Sequence, residues 1–162
     1  MSSRLIPATL ITLTAAAGAT AAPDDATIKV QRSILDVRLG DTRAEVEDLL
    51  GEPRSAKSKD VGGDIGTIVT LEYRKLVVRL QGDGTQPKTI QVTTRDRQDR
   101  TVQDAGVGST RAFVDENVPG TKCDDDACVV GVRKAGRKQT WFLLNSSNRV
   151  RAVSLVKPFP GS

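Results

Sequence analysis

The sequence predicts an α+β fold of two tandem units, each a short helix (or helix pair) packed on a three- to four-stranded antiparallel sheet. Three observations carry this expectation. A six-residue phrase is written twice, as Leu39-Gly40-Asp41-Thr42-Arg43-Ala44 and, 68 positions later, as Val107-Gly108-Ser109-Thr110-Arg111-Ala112. Each copy opens a stretch with helix-cap chemistry, and runs of alternating apolar and polar residues follow each helix. An internal repeat of this kind means that one supersecondary unit is used twice.

Taken in order, Ile28 and Val30 alternate with polar neighbours and can start a strand, while residues 33–37 fit either a short helix or an extended entry segment. Thr42 is a good N-cap and Glu45 stands three residues later, the spacing of a capping box. Val46, Leu49 and Leu50 form an apolar stripe at i, i+3, i+4. Gly51 and Pro53 end the helix. Residues 54–66 read as a polar, glycine-rich loop. Strands are predicted at 67–73, 75–81 and 88–94, with Val69, Leu71, Tyr73, Leu76, Val78, Leu80, Ile90 and Val92 inward. Arg79, Thr89, Gln91 and Thr93 then point outward, which describes a sheet with one covered and one open face.

In the second unit Thr110 caps a helix that carries Val114 and Val118, but Phe113 stands where a box would need Glu. Strands are predicted at 128–134, 138–145 and 149–156, and the spacing between units drifts from 68 at the helices to about 61 at the last strands. The expected boundaries are a signal peptide at 1–21, a first unit at 22–95, a charged connector at 96–105, a second unit at 106–157 and a tail at 158–162.

The N-terminus reads as an export signal: Arg4 is its one charge, an apolar run follows, and Ala19-Thr20-Ala21 offers the small-x-small pattern of a cleavage site. The run is too short and threonine-rich for a membrane span. The expected location is periplasmic or secreted. Cleavage after Ala21 would lower the formal charge from +4 by the one charge of Arg4. Charges are interspersed and aromatics few (Tyr73, Trp141 and three Phe), which argues against nucleic-acid binding. Two cysteines in an exported chain, Cys123 and Cys128, read as a disulfide.

No reaction is specified. The chain has no histidine, so serine–histidine and cysteine–histidine catalysis are absent and a zinc site lacks ligands. Asp124-Asp125-Asp126 lacks the spaced ligands of a calcium loop. The expectation is a protein that is not an enzyme and has no metal and no cofactor. If Thr140, Phe142 and Leu144 face the core, Trp141 and Leu143 lie on the open face, with Arg79, Gln91 and Arg133 as further candidates for that surface. Tryptophan beside arginine is the composition of a binding hot spot. The alternative is that Trp141 packs against the core or the other repeat.

Gly40-Asp41-Thr42-Arg43-Ala44-Glu45-Val46 followed by Leu49-Leu50-Gly51-Glu52-Pro53 resembles the entry helix of the SmpA/OmlA outer-membrane assembly lipoproteins, and equally a repeat of the β-lactamase inhibitory proteins. Two units in tandem resemble the inhibitory proteins more, as does a cysteine pair joining the helix end to the first strand. Two features depart from these families: the aromatics are few, and Ala22 stands where a lipoprotein would carry its anchoring cysteine. The expected function is protein binding through an open sheet face. The resemblance implies two other readings, a cell-envelope assembly factor and an inhibitor of a secreted or periplasmic enzyme such as a β-lactamase.

Overall fold

The computed structural model describes residues 26–82, 86–134 and 136–158. The expected signal segment 1–21, the turn residues Asp83, Gly84 and Ala135, and residues 159–162 of the tail lie outside the described residues. The described structure is α+β and dominated by one sheet. Strands β1 (Ile28–Lys29) and β2 (Ser33–Ile34) form a small hairpin. Helix α1 (Arg43–Leu50) is followed by β3 (Ser55–Asp60), β4 (Thr67–Glu72), β5 (Leu76–Gln81) and β6 (Lys88–Thr94). Helix α2 (Arg111–Asn117) is followed by β7 (Thr121–Cys123), β8 (Ala127–Val130), β9 (Gln139–Leu144) and β10 (Val150–Val156). The last eight strands make a single antiparallel sheet in the order β3-β4-β5-β6-β10-β9-β8-β7. The expected pair of three- to four-stranded sheets is thus one continuous sheet, because β6 and β10 pair with each other at its centre.

The doubled phrase makes the same bonds in both places. Gly40 N–H donates to the Thr89 carbonyl at 2.7 Å, and Thr89 N–H donates back to Asp41 at 2.8 Å. Gly108 N–H donates to the Val150 carbonyl at 2.7 Å, and Val150 N–H donates back to Ser109 at 2.9 Å. Each glycine turns with positive φ, +100° and +96°, which admits a side chain only at a cost. Gly40→Ala and Gly108→Ala are each expected to cost about 1–2 kcal/mol from backbone strain. Chemical denaturation that gave one a large cost and the other none would show that the two phrases are not equivalent devices.

Helix capping follows the sequence. Thr42 Oγ1 accepts from Glu45 N–H while the Glu45 carboxylate accepts from Thr42 N–H, completing the box. Thr110 caps α2 through Phe113 N–H alone. The apolar stripe is narrower than predicted: Val46 is fully buried and Leu50 partly, but Leu49 is 52% exposed. At about 100° per residue Leu49 lies farther from Val46 than Leu50 does, so it stands at the solvent edge of the stripe.

One cluster holds the core. It joins Val46 of α1, Val114 of α2 and Ile28 and Ile34 of the hairpin to Leu71, Val78, Leu80, Val92, Phe142 and Leu155 of the sheet. The helices and the hairpin therefore share one face of the sheet.

Two sequence expectations are corrected and two segments are defined more closely. Residues 55–60 are an edge strand, not loop; Ser-Ala-Lys-Ser-Lys-Asp carries no apolar alternation because the whole strand is solvated. Residues 33–34, for which the sequence leaves a short helix and an extended segment open, are a hairpin strand. Residues 96–105, expected as a charged connector, hold buried side chains. Asp99 is buried and accepts from the Thr94 hydroxyl, and Thr101 and Ala105 are buried too. The disulfide Cys123–Cys128 is present, but it ties β7 to β8 across a hairpin instead of joining a helix end to a strand.

Candidate functional site

Among the described residues no helix packs on the second face of the sheet, toward which every other side chain of its strands points. Along β9, Thr140, Phe142 and Leu144 point into the core while Trp141 and Leu143 are only partly buried on the other side. Two β-bulges then depart from simple alternation. In β6, Arg79 pairs with Gln91 but Leu80 pairs with Thr89, so Ile90 is the extra residue. Thr89 is consequently buried against the prediction, and Ile90 lines a cleft on the open face. In β10, Val150 pairs with Leu144 and Ala152 with Leu143, so Arg151 is the extra residue. Bulges re-aim side chains in this way.

A polar chain crosses the middle of the face. Arg79 Nη1 donates to Gln91 Oε1 at 3.3 Å, and Gln91 Nε2 donates to Thr93 Oγ1 and Ser154 Oγ, both at 3.1 Å. Thr93 and Ser154 are themselves linked at 2.9 Å. Three strands thus hold Arg79 in place. Trp141 is anchored as well: its indole N–H donates to Gln139 Oε1 at 2.8 Å, and Gln139 Nε2 donates to the Val132 carbonyl at 2.9 Å. The indole proton is satisfied within the protein, so the ring offers apolar surface to an incoming group.

Two clefts of about 440 Å³ each lie side by side on this face. One is mostly apolar and is lined by Ile90, Trp141, Leu143 and Val156. The other is lined by Val77, Thr93 and three arginines, Arg79, Arg95 and Arg151. They share Arg79, Gln91 and Leu143. The structure therefore brings together Trp141, Leu143, Arg79 and Gln91. Arg133 is elsewhere: its guanidinium pairs with Asp124 at 2.7 Å, at the disulfide hairpin. A further cleft, of about 370 Å³, sits on the helix side between the N-terminal hairpin and Pro119, beside Ala26, the first described residue.

Arg95 and Arg151 were missed in the sequence. Arg95 continues the outward phase of Gln91 and Thr93 one step past the strand end. Arg151 stands in phase with Val153 and Leu155, where an arginine could not enter the core. That conflict was the available sign of a bulge.

Several exposed carboxylates are held low. The Thr42 N–H keeps Glu45 below its ordinary value, Lys57 and Ser55 do so for Glu72, Gln98 N–H and Lys75 for Asp96, and Arg133 and Ala127 N–H for Asp124. A carboxyl depressed on folding stabilises above its unfolded pKa, and that contribution is lost as pH falls through the folded one. With no histidine to titrate between, the melting temperature is expected to be flat from about pH 5 to 8. It should fall below about pH 4. A titration step near pH 6.5 in thermal melts would contradict this.

Among the described residues no group of three or more His, Cys, Asp or Glu is placed to hold a metal, and no helix is long and apolar enough to cross a membrane. Neither a family model nor a curated protein matches the chain. Among solved structures the chain is similar to a DUF4309 family protein, YjgB, from Bacillus subtilis, at 17% identity and a TM-score of 0.40, over 72% of this chain and 78% of that one.

Proposed function

We propose that the chain is an exported, non-enzymatic protein-binding module that acts through the open face of its sheet. Two tandem units, 22–95 and 106–157, would build that face jointly across the β6–β10 seam. The observation that supports this most is the convergence of Trp141, Leu143, Arg79 and Gln91 on adjoining clefts of the uncovered side. The edges of the sheet are poor alternatives. β3 exposes Lys57 and Lys59, and β7 has three residues, both devices that discourage strand addition. The disulfide fits an oxidising compartment.

The matched docking of the two Gly-x-Thr phrases favours a second reading within the first. The partner would be a secreted enzyme, the role implied by the resemblance to the β-lactamase inhibitory proteins. Envelope assembly remains the other proposal from that resemblance.

The test is capture of partners from the exported fraction of the source organism with wild type and Trp141→Ala side by side. Truncating a central aromatic anchor costs about 2 kcal/mol or more, which is about 30-fold in affinity. The expected result is a partner kept by wild type and lost by the variant. Equal retention by a folded Trp141→Ala protein would remove the open face from the account.

A further inference from the structure

The second cleft on the open face has an unusual charge balance. Arg79, Arg95 and Arg151 line one depression, and among the described residues none of them lies within ion-pairing distance of a carboxylate. The nearby acid on this face, Glu72, is already taken by Lys57 at 3.0 Å and Ser55 at 3.1 Å. Three like charges sharing a concave surface repel one another in the free protein, and a bound anion relieves the repulsion.

The arginines are delivered by different devices: Arg79 by strand β5, Arg95 by the end of β6 and Arg151 by the β10 bulge. Arg79 is further fixed by Gln91. Guanidinium forks match carboxylates with two parallel bonds, so a preset arginine loses less freedom on binding than a lysine would.

Resting on the protein-binding reading above, we propose that this cleft takes the side-chain carboxylate of an acidic, extended segment of the partner. A neighbouring apolar side chain of the same segment would lie against Trp141 and Leu143. Side chains at i and i+2 of an extended chain project on one side about 7 Å apart. Two adjoining clefts that share Arg79, Gln91 and Leu143 suit that spacing. The apolar half also argues for a peptide over a polyanionic glycan or lipid surface, which would leave Trp141, Ile90 and Val156 without a partner.

Trp141 is the single tryptophan of the chain, so its fluorescence reports on this site directly. The probe is an acetylated, amidated hexapeptide with one Glu and one Phe two positions apart in a Ser/Gly background, so that both side chains project on one side, with its Gln counterpart as control. The Glu peptide is expected to shift Trp141 emission saturably and to bind about tenfold or more tighter than the Gln peptide. Its affinity should fall as salt rises from about 50 to about 300 mM. The Arg95→Gln/Arg151→Gln double variant should lose about tenfold or more, while Lys59→Gln, a charge change at the sheet edge, should not. Melting curves check that each variant is folded.

Equal binding of the two peptides, or wild-type affinity in the double variant, would overturn the proposal. So would displacement of the peptide by inorganic phosphate or dextran sulfate at equal concentration, which would make the cleft a generic anion site. The two readings fail separately. A captured partner lost in Trp141→Ala but indifferent to the double variant would leave protein binding standing and sink the acidic-segment proposal.

Discussion

Phe142→Ala is expected to lower stability by about 3–5 kcal/mol, the range for truncating a fully buried phenylalanine. Phe142 is 0% exposed, pairs across β9 and β10 with Val153, and belongs to the cluster that joins both helices to the sheet. At this size the loss corresponds to a fall of about 10–20 °C in melting temperature. The adjacent Trp141→Ala removes a larger side chain, but one that is only partly buried on the opposite face. Its cost is expected to be about 1–2 kcal/mol. Differential scanning calorimetry on the two variants decides the matter. A Trp141→Ala penalty equal to that of Phe142→Ala would mean that the indole is core, and the open face would lose its anchor.

Gly106→Ala is expected to be the second most damaging single substitution, at about 2–3 kcal/mol from overpacking. A Cβ there would run into the Asp99 carbonyl oxygen, a backbone atom that cannot swing away, and would also approach Arg100 Nη1 at 2.8 Å. Thr101 N–H donates to the Ala105 carbonyl at 2.9 Å, and Arg100 and Gly106 form an isolated bridge, so residues 99–106 close on themselves. Ile28 N–H also donates to the Arg100 carbonyl at 3.0 Å, which ties the N-terminal hairpin to this segment. A near-zero effect in urea denaturation would show instead a segment free to yield. That result would show residues 99–106 to be closed less tightly than these bonds imply.

Elements whose pattern is set by local chemistry were legible in the sequence. The capping box of Thr42 and Glu45, the alternation of β4 and β5 and the inward phase of Phe142 all follow from short-range rules. The drift of the repeat from 68 to 61 positions is the separation between Gly40 and Gly108 and between their carbonyl partners Thr89 and Val150. What escaped notice depended on neighbours. β3 and β7 are strands because β4 and β8 template them; their own residues show no alternation. Nothing in the acidic-basic run at 96–101 marks Asp99 as buried; it is buried because Thr94 satisfies it. Of the candidate binding residues, those in regular alternation came together. Arg133 followed a strand that ended earlier than predicted, at Val130, and pairs with Asp124 instead. Arg151 was hidden by a bulge.

The central claim is that the uncovered sheet face, and not the helix face, meets the partner. Photo-crosslinking tests it most directly. A benzoylphenylalanine is placed at Leu143 on the open face, or at the exposed Glu116 on α2, and the protein is irradiated in the exported fraction of the source organism. The account predicts a discrete crosslinked partner from position 143 and none from position 116. A partner crosslinked from position 116 and not from 143 would contradict it.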